Sequence, residues 1–210
     1  FSMTYAYSEK YVLVISHDEV VHLKCSMVNK MPGYPEEKIR NLKAAYAFML
    51  FHPGKKLLFM GQEFGQLREW SEERELDWYL LNEKPHQDLQ EFVKTLLHMY
   101  TKYPALYAGD NDPDGFEWIN ADDAYRSIFS LVRKSPTKRN NLLFIVNFTP
   151  VDRPDYRVGV PKKKQYKLIM NEHGPLEKPE VFKAEAQECD HREFSFDYPL
   201  PGYGVAVFTY

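Results

Sequence analysis

The sequence predicts an α/β segment over residues 1–104 followed by an all-β domain, an antiparallel β-sandwich, over residues 105–210. Two short apolar runs, Tyr11 to Ile15 and Leu57 to Met60, flank a stretch whose apolar residues recur at helical spacing. Beyond Pro104 the helical period is lost, and short strand-like segments alternate with turn residues to the end of the chain.

Tyr11, Val12, Leu13, Val14 and Ile15 are apolar without alternation, as expected of a parallel strand covered on both faces. Pro35 suits a first helical turn, Glu36 and Glu37 lie near its positive end, and Ile39, Leu42, Tyr46, Met49 and Leu50 share one face. Pro53-Gly54 stops this helix, and Lys55 to Met60 forms a second strand. Strand, helix, strand is a βαβ crossover, which implies a parallel sheet with helices outside. After a polar stretch, Leu89, Phe92, Val93, Leu96, Leu97 and Tyr100 mark a second helix that Pro104 ends. Eight strand-like segments follow, at 115–120, 125–134, 141–148, 156–160, 165–170, 181–184, 193–198 and 205–210. Asp112-Pro-Asp-Gly, Ser135-Pro, His173-Gly-Pro and Pro201-Gly punctuate them, a spacing that fits a sandwich.

A closed (β/α)8 barrel takes about 250 residues, so an α/β part ending near residue 104 would be only a portion of one. The chain opens on Phe1 rather than Met, which fits a piece of something longer. With 210 residues, 44% of them hydrophobic and 27% charged, disorder is not expected. A net charge of -3 gives no basic field for a nucleic-acid backbone, and no apolar run approaches a membrane span. Cys25 and Cys189 alone make neither a disulfide framework nor a paired metal motif, so a cytoplasmic setting without metal or cofactor is expected.

The segment most suited to chemistry is Ser16-His-Asp-Glu-Val-Val-His22, at the carboxyl end of the first strand, where α/β barrels place active sites. A carboxylate beside an imidazole can stabilise a developing positive charge and donate to a ligand hydroxyl. The same residues could instead be a capped, solvated loop. Glu19-Val-Val-His22 has the Glu-x-x-His spacing of helical di-iron sites, but it follows a strand and lacks a second copy. Glu63, between Gly61 and Gly65 at the end of the second strand, could face a substrate or simply belong to a structural turn. Arg68, Glu69, Trp70, Asp77 and Trp78 lie in the next loop, where an exposed indole suits stacking on a sugar, although Trp78 could equally be core. Trp118 reads as core, and Lys162-Lys163-Lys164 as a solvated turn.

Taken together, Ser16-His-Asp-Glu-Val-Val-His22, Lys30-Met-Pro-Gly33, His52-Pro-Gly-Lys-Lys-Leu-Leu-Phe-Met-Gly61, Arg68-Glu-Trp70 and Leu76-Asp-Trp78 resemble the bacterial-type 1,4-α-glucan branching enzymes of the α-amylase superfamily. Asp112-Pro-Asp-Gly-Phe-Glu-Trp118, Asn147-Phe-Thr-Pro150 and Leu200-Pro-Gly-Tyr-Gly-Val-Ala-Val207 are similar to that family's carboxyl-terminal all-β domain. The resemblance implies that the two strands are the seventh and eighth of a (β/α)8 barrel whose other strands lie upstream. It implies an α-glucan substrate (amylose or glycogen), and a retaining mechanism whose nucleophile and acid/base both precede this segment. On the matching positions Asp18 becomes the transition-state stabiliser with His17 beside it, and Glu19, His22, Lys24, Glu63, Arg68 and Trp70 become substrate-binding residues. One carboxylate is not a catalytic pair, so these residues alone are expected to be inactive. The chain departs from the family at Leu23, where glycine is common, at Cys25, where a small residue follows Lys, and at Gln62, where Asn is frequent. A noncatalytic glucan-binding module and another hydrolase of the superfamily are the competing readings.

Overall fold

The computed structural model describes residues 3–4, 6–137 and 139–210. Strands β1 (Val12–Ile15) and β2 (Lys55–Leu58) run parallel, with Val12 opposite Lys55 and Ile15 opposite Leu58. The connection holds a one-turn helix α1 (Met27–Lys30) and the long helix α2 (Pro35–Phe51), so the expected βαβ unit is present. Helix α2 opens with Pro35 in its first turn, and Glu37 turns back to accept the Tyr34 N–H at 2.8 Å. Its residues Ile39, Leu42, Ala44, Tyr46, Ala47, Leu50 and Phe51 are all buried, more of its circumference than a single apolar stripe would cover. Helix α3 (Lys84–Lys102) starts before Leu89, with Pro85 tolerated in its first turn, and buries Leu89, Phe92, Val93, Leu96 and Met99.

Eight antiparallel strands follow: β3 (Phe116–Asp123), β4 (Ile128–Arg133), β5 (Leu142–Asn147), β6 (Arg153–Val160), β7 (Gln165–Asn171), β8 (Gly174–Lys183), β9 (Phe194–Leu200) and β10 (Val205–Thr209). Six of them form one sheet in the order β3-β4-β5-β10-β7-β8, and β6 and β9 pair as a second. The six-stranded sheet is covered on both sides. Leu142, Phe144 and Val146 of β5 and Val205 and Val207 of β10 face α2 and α3, while Leu143, Ile145, Ala206 and Phe208 face β6 and β9. Residues on both sides of position 104 therefore share one core, and the ring of Phe51 stacks on that of Phe144 at 4.5 Å. Trp118 is half-buried against Phe116 and Phe48, in keeping with its reading as core.

Two expectations are corrected. Strand β8 is much longer than 181–184, because Pro175 and Pro179 lie on an edge strand, where a missing N–H breaks no ladder. The β1 strand is not covered on both faces: Leu13 and Ile15 are half-buried, but Val12, Val14 and their neighbour Leu57 lie open. The apolar run has only one layer against it within the described residues.

The junction is tied by charge as well as packing. Arg133, fully buried, donates to the Phe51 carbonyl at 3.0 Å, the Leu106 carbonyl at 3.3 Å and the Asp110 carboxylate at 2.7 Å. Lys55 of β2 reaches the other Asp110 oxygen at 3.1 Å. Burial alone would raise the Asp110 carboxyl, but these two cations outweigh it and hold it below its ordinary value.

Candidate functional site

The end of β1 is shaped by a capping box. Ser16 Oγ accepts the Asp18 N–H at 3.1 Å, and Glu19 Oε2 accepts the Ser16 N–H at 2.6 Å, pinning His17–Glu19 as a 3₁₀ turn. With its ends tied, the turn presents His17 and Asp18 outward, their side chains 53% and 71% exposed, with Nε2 and Oδ1 3.4 Å apart.

The end of β2 lies alongside, where the Phe59 N–H donates to the Ile15 carbonyl at 3.0 Å. Gly61 and Gly65, at φ 86° and 71°, make the backbone reversals around the Gln62–Phe64 turn that a β-carbon would oppose. A Cβ on Gly65 would also come within 2.9 Å of Leu89. Glu63 is half-buried at this turn. Burial pushes the Tyr46 hydroxyl up and the neighbouring Glu63 carboxylate adds to it, while that hydroxyl donates to the Gln62 carbonyl at 3.1 Å. Gln62 Oε1 is buried without a hydrogen-bond partner.

The loop after β2 binds the two strand ends together. The Trp70 N–H donates to the Val20 carbonyl at 2.9 Å. The Trp70 ring meets Phe59 edge-on at 5.3 Å, and His17 lies 5.9 Å from Phe59 and 6.1 Å from Trp70. Arg68 forms a two-pronged pair with the buried Asp77, its Nε 2.8 Å from Oδ2. Each partner favours the other's charged form, so Arg68 is raised and Asp77 lowered. Glu69 accepts the N–H groups of Leu23 at 3.1 Å and Cys25 at 2.7 Å. Its carboxyl is held below the usual range by those bonds, with the His22 charge adding a smaller effect.

The structure thus gathers His17, Asp18 and Trp70 at one corner, with Lys24 returning its Nζ to the Asp18 carbonyl at 2.7 Å. Glu19 is engaged in the cap and Arg68 by Asp77, Glu63 sits by Tyr46, and His22 is exposed in a left-handed conformation, φ 49°. The sequence reading passed over Phe59, hidden in an apolar run, and the partnerships of Glu69 and Asp77. The carboxylate partners come from contacts more than forty residues apart or from a turn without periodicity. Among the described residues no group of three or more His, Cys, Asp or Glu side chains converges as a metal site would require.

Parallel strand ends carrying a His-Asp pair are followed by a helix-backed antiparallel sandwich. Residues 118–210 match the family described as "Alpha amylase, C-terminal all-beta domain". The chain is homologous along its whole length to proteins named 1,4-alpha-glucan branching enzyme. It is 49% identical to the 1,4-alpha-glucan branching enzyme GlgB of Butyrivibrio fibrisolvens, covering 100% of this chain and 34% of that protein. It is 50% identical to that of Aquifex aeolicus over 81% of this chain and 27% of the relative. The chain therefore spans about a third of the length of these relatives. Among solved structures, pullulanase type I from Bacillus subtilis in complex with maltose superimposes with a TM-score of 0.61 at 15% identity, covering 84% of this chain and 24% of that one. The alpha-amylase from H. orenii does so with a TM-score of 0.56 at 16% identity, covering 94% of this chain and 39% of that one. At such identities these two likenesses speak to the fold.

Proposed function

We propose that residues 1–104 supply the last two strands of a (β/α)8 barrel, residues 105–210 a supporting β domain, and that the protein carrying them cleaves α-1,4 links in a glucan and rejoins the chain as α-1,6 branches. The observation that supports this best is the corner at the end of β1: an exposed imidazole and carboxylate 3.4 Å apart beside a Trp70–Phe59 wall. Cleavage of an α-1,4 link passes through an oxocarbenium-like state, and the Asp18 carboxylate offsets the positive charge that develops. His17 donates to a sugar hydroxyl, and the Trp70 ring gives the sugar an apolar face. Lys24 borders the same side, and the resemblance assigns Glu63, Arg68 and Glu19 to glucan binding, Arg68 and Glu19 while anchoring the turns that carry it. The glucan reaction needs no cofactor, and the cytoplasm is its proposed setting.

Retention of configuration requires two carboxyl groups about 5 Å apart across the scissile bond. The resemblance assigns both to upstream segments, so the 210-residue chain alone is expected to be inactive. Incubating amylose with this chain, and separately with the full-length protein, tests this. New α-1,6 links from the full-length protein only are the expected result; turnover by the 210-residue chain would overturn it.

A further inference from the structure

Glu69 stands outside the His17–Asp18 corner but holds the loop next to it. Its carboxylate receives two backbone N–H groups, Leu23 at 3.1 Å and Cys25 at 2.7 Å. They converge because His22, Leu23 and Cys25 have φ values of 49°, 68° and 63°, a region that residues bearing a β-carbon disfavour. Packing does not compensate, since Leu23 is 96% exposed. A carboxylate accepting two N–H groups is strong enough to do so. Glu69 is itself fixed, between Arg68 paired with Asp77 and Trp70 bonded to Val20. The loop it shapes carries Lys24, whose ammonium reaches the Asp18 carbonyl at 2.7 Å.

We propose that Glu69 is a positioning residue: it holds the His22–Cys25 loop in its left-handed form and thereby sets Lys24 and the rim at Leu23 against a glucan bound at His17 and Asp18. The glucan half of this rests on the function proposed above; the loop-holding half does not.

Two readouts test it. Hydrogen exchange on the 210-residue chain follows the loop, and maltoheptaose binding by the full-length protein follows its consequence. Glu69→Ala is expected to deprotect the peptide around residues 21–26 while α2 stays protected, and to weaken maltoheptaose about tenfold, because binding must then order a loop that its two charge-assisted hydrogen bonds no longer hold. Adding Leu23→Gly, which removes no packing and makes the left-handed backbone easy, is expected to recover most of the binding, while the two amides that Glu69 bonded stay unprotected. Glu69→Gln keeps an acceptor oxygen and serves as the milder variant should Glu69→Ala unfold; a smaller loss of the same kind is expected. Unchanged exchange overturns the loop-holding role. A binding loss that Leu23→Gly does not recover overturns positioning in favour of direct contact between Glu69 and the sugar. If the unsubstituted protein fails to bind maltoheptaose while the loop still responds, the glucan reading fails and only its half of the proposal falls with it.

Discussion

Arg133 and Asp110 are a buried charge pair whose worth lies in being complete. Arg133→Leu would leave a buried carboxylate with Lys55 as its remaining cation and the Phe51 and Leu106 carbonyls short of a donor, a loss of about 3 kcal/mol expected in urea unfolding. Because the folded-state Asp110 carboxyl is depressed, its contribution is complete above the unfolded value and lost as pH falls through the folded one. Lys56 acts in the opposite range. Burial lowers its ammonium to about 7, so from there up to the ordinary lysine value the unfolded chain binds the extra proton and stability rises with pH. Urea midpoints taken between neutral and alkaline pH are expected to show that rise, and Lys56→Met to flatten it. Leu23→Gly is expected to stabilise by about 0.5 kcal/mol, although Leu to Gly at an ordinary surface position destabilises, because it relieves the left-handed backbone at φ 68°. That angle also explains a departure visible in the sequence: Leu23 stands where the resembled family commonly has glycine, and the loop keeps its shape through Glu69.

At the scale of elements, α2 and the six-stranded sheet are joined through Phe51 and Phe144, stacked within 10° of parallel. Phe144→Ala is expected to cost about 3–5 kcal/mol, a cavity on a surface shared by two layers, measured as a shift in the urea midpoint. The elements themselves were legible because their periods are clean: Pro35 with Glu36 and Glu37 opens α2, Pro104 follows α3, and all eight strands of the β domain were anticipated. What escaped was set by neighbours rather than by local pattern. His173-Gly-Pro175 reads as a turn until its strand is known to be an edge. Leu142 to Val146 and Val12 to Ile15 look alike as runs, yet the first is buried on both faces and the second on one. At the site, the His17-Asp18 pair and Trp70 could be singled out by residue type and strand-end position. The cap on Glu19, the Arg68–Asp77 pair and the Glu69 contacts depend on loop paths that no spacing encodes.

Seen whole, the molecule carries an apolar face of Val12, Val14 and Leu57 on a two-stranded sheet whose outer edges pair with nothing among the described residues. Such a surface favours association. Light scattering of the 210-residue chain is expected to show concentration-dependent assembly, relieved by Val14→Lys, which puts a charge on that face. The β domain buries apolar residues of its strands in two cores.

The central claim is that Asp18 stabilises the transition state of glucan cleavage within a longer enzyme. Its most direct measurement is the rate at which the full-length protein forms α-1,6 links from amylose, compared with Asp18→Asn, whose amide keeps the size of the carboxylate without its charge. A loss of about a hundredfold or more in kcat with little change in KM is expected, the signature of an interaction made chiefly in the transition state. An Asp18→Asn protein that branches amylose at the unsubstituted rate would contradict the claim.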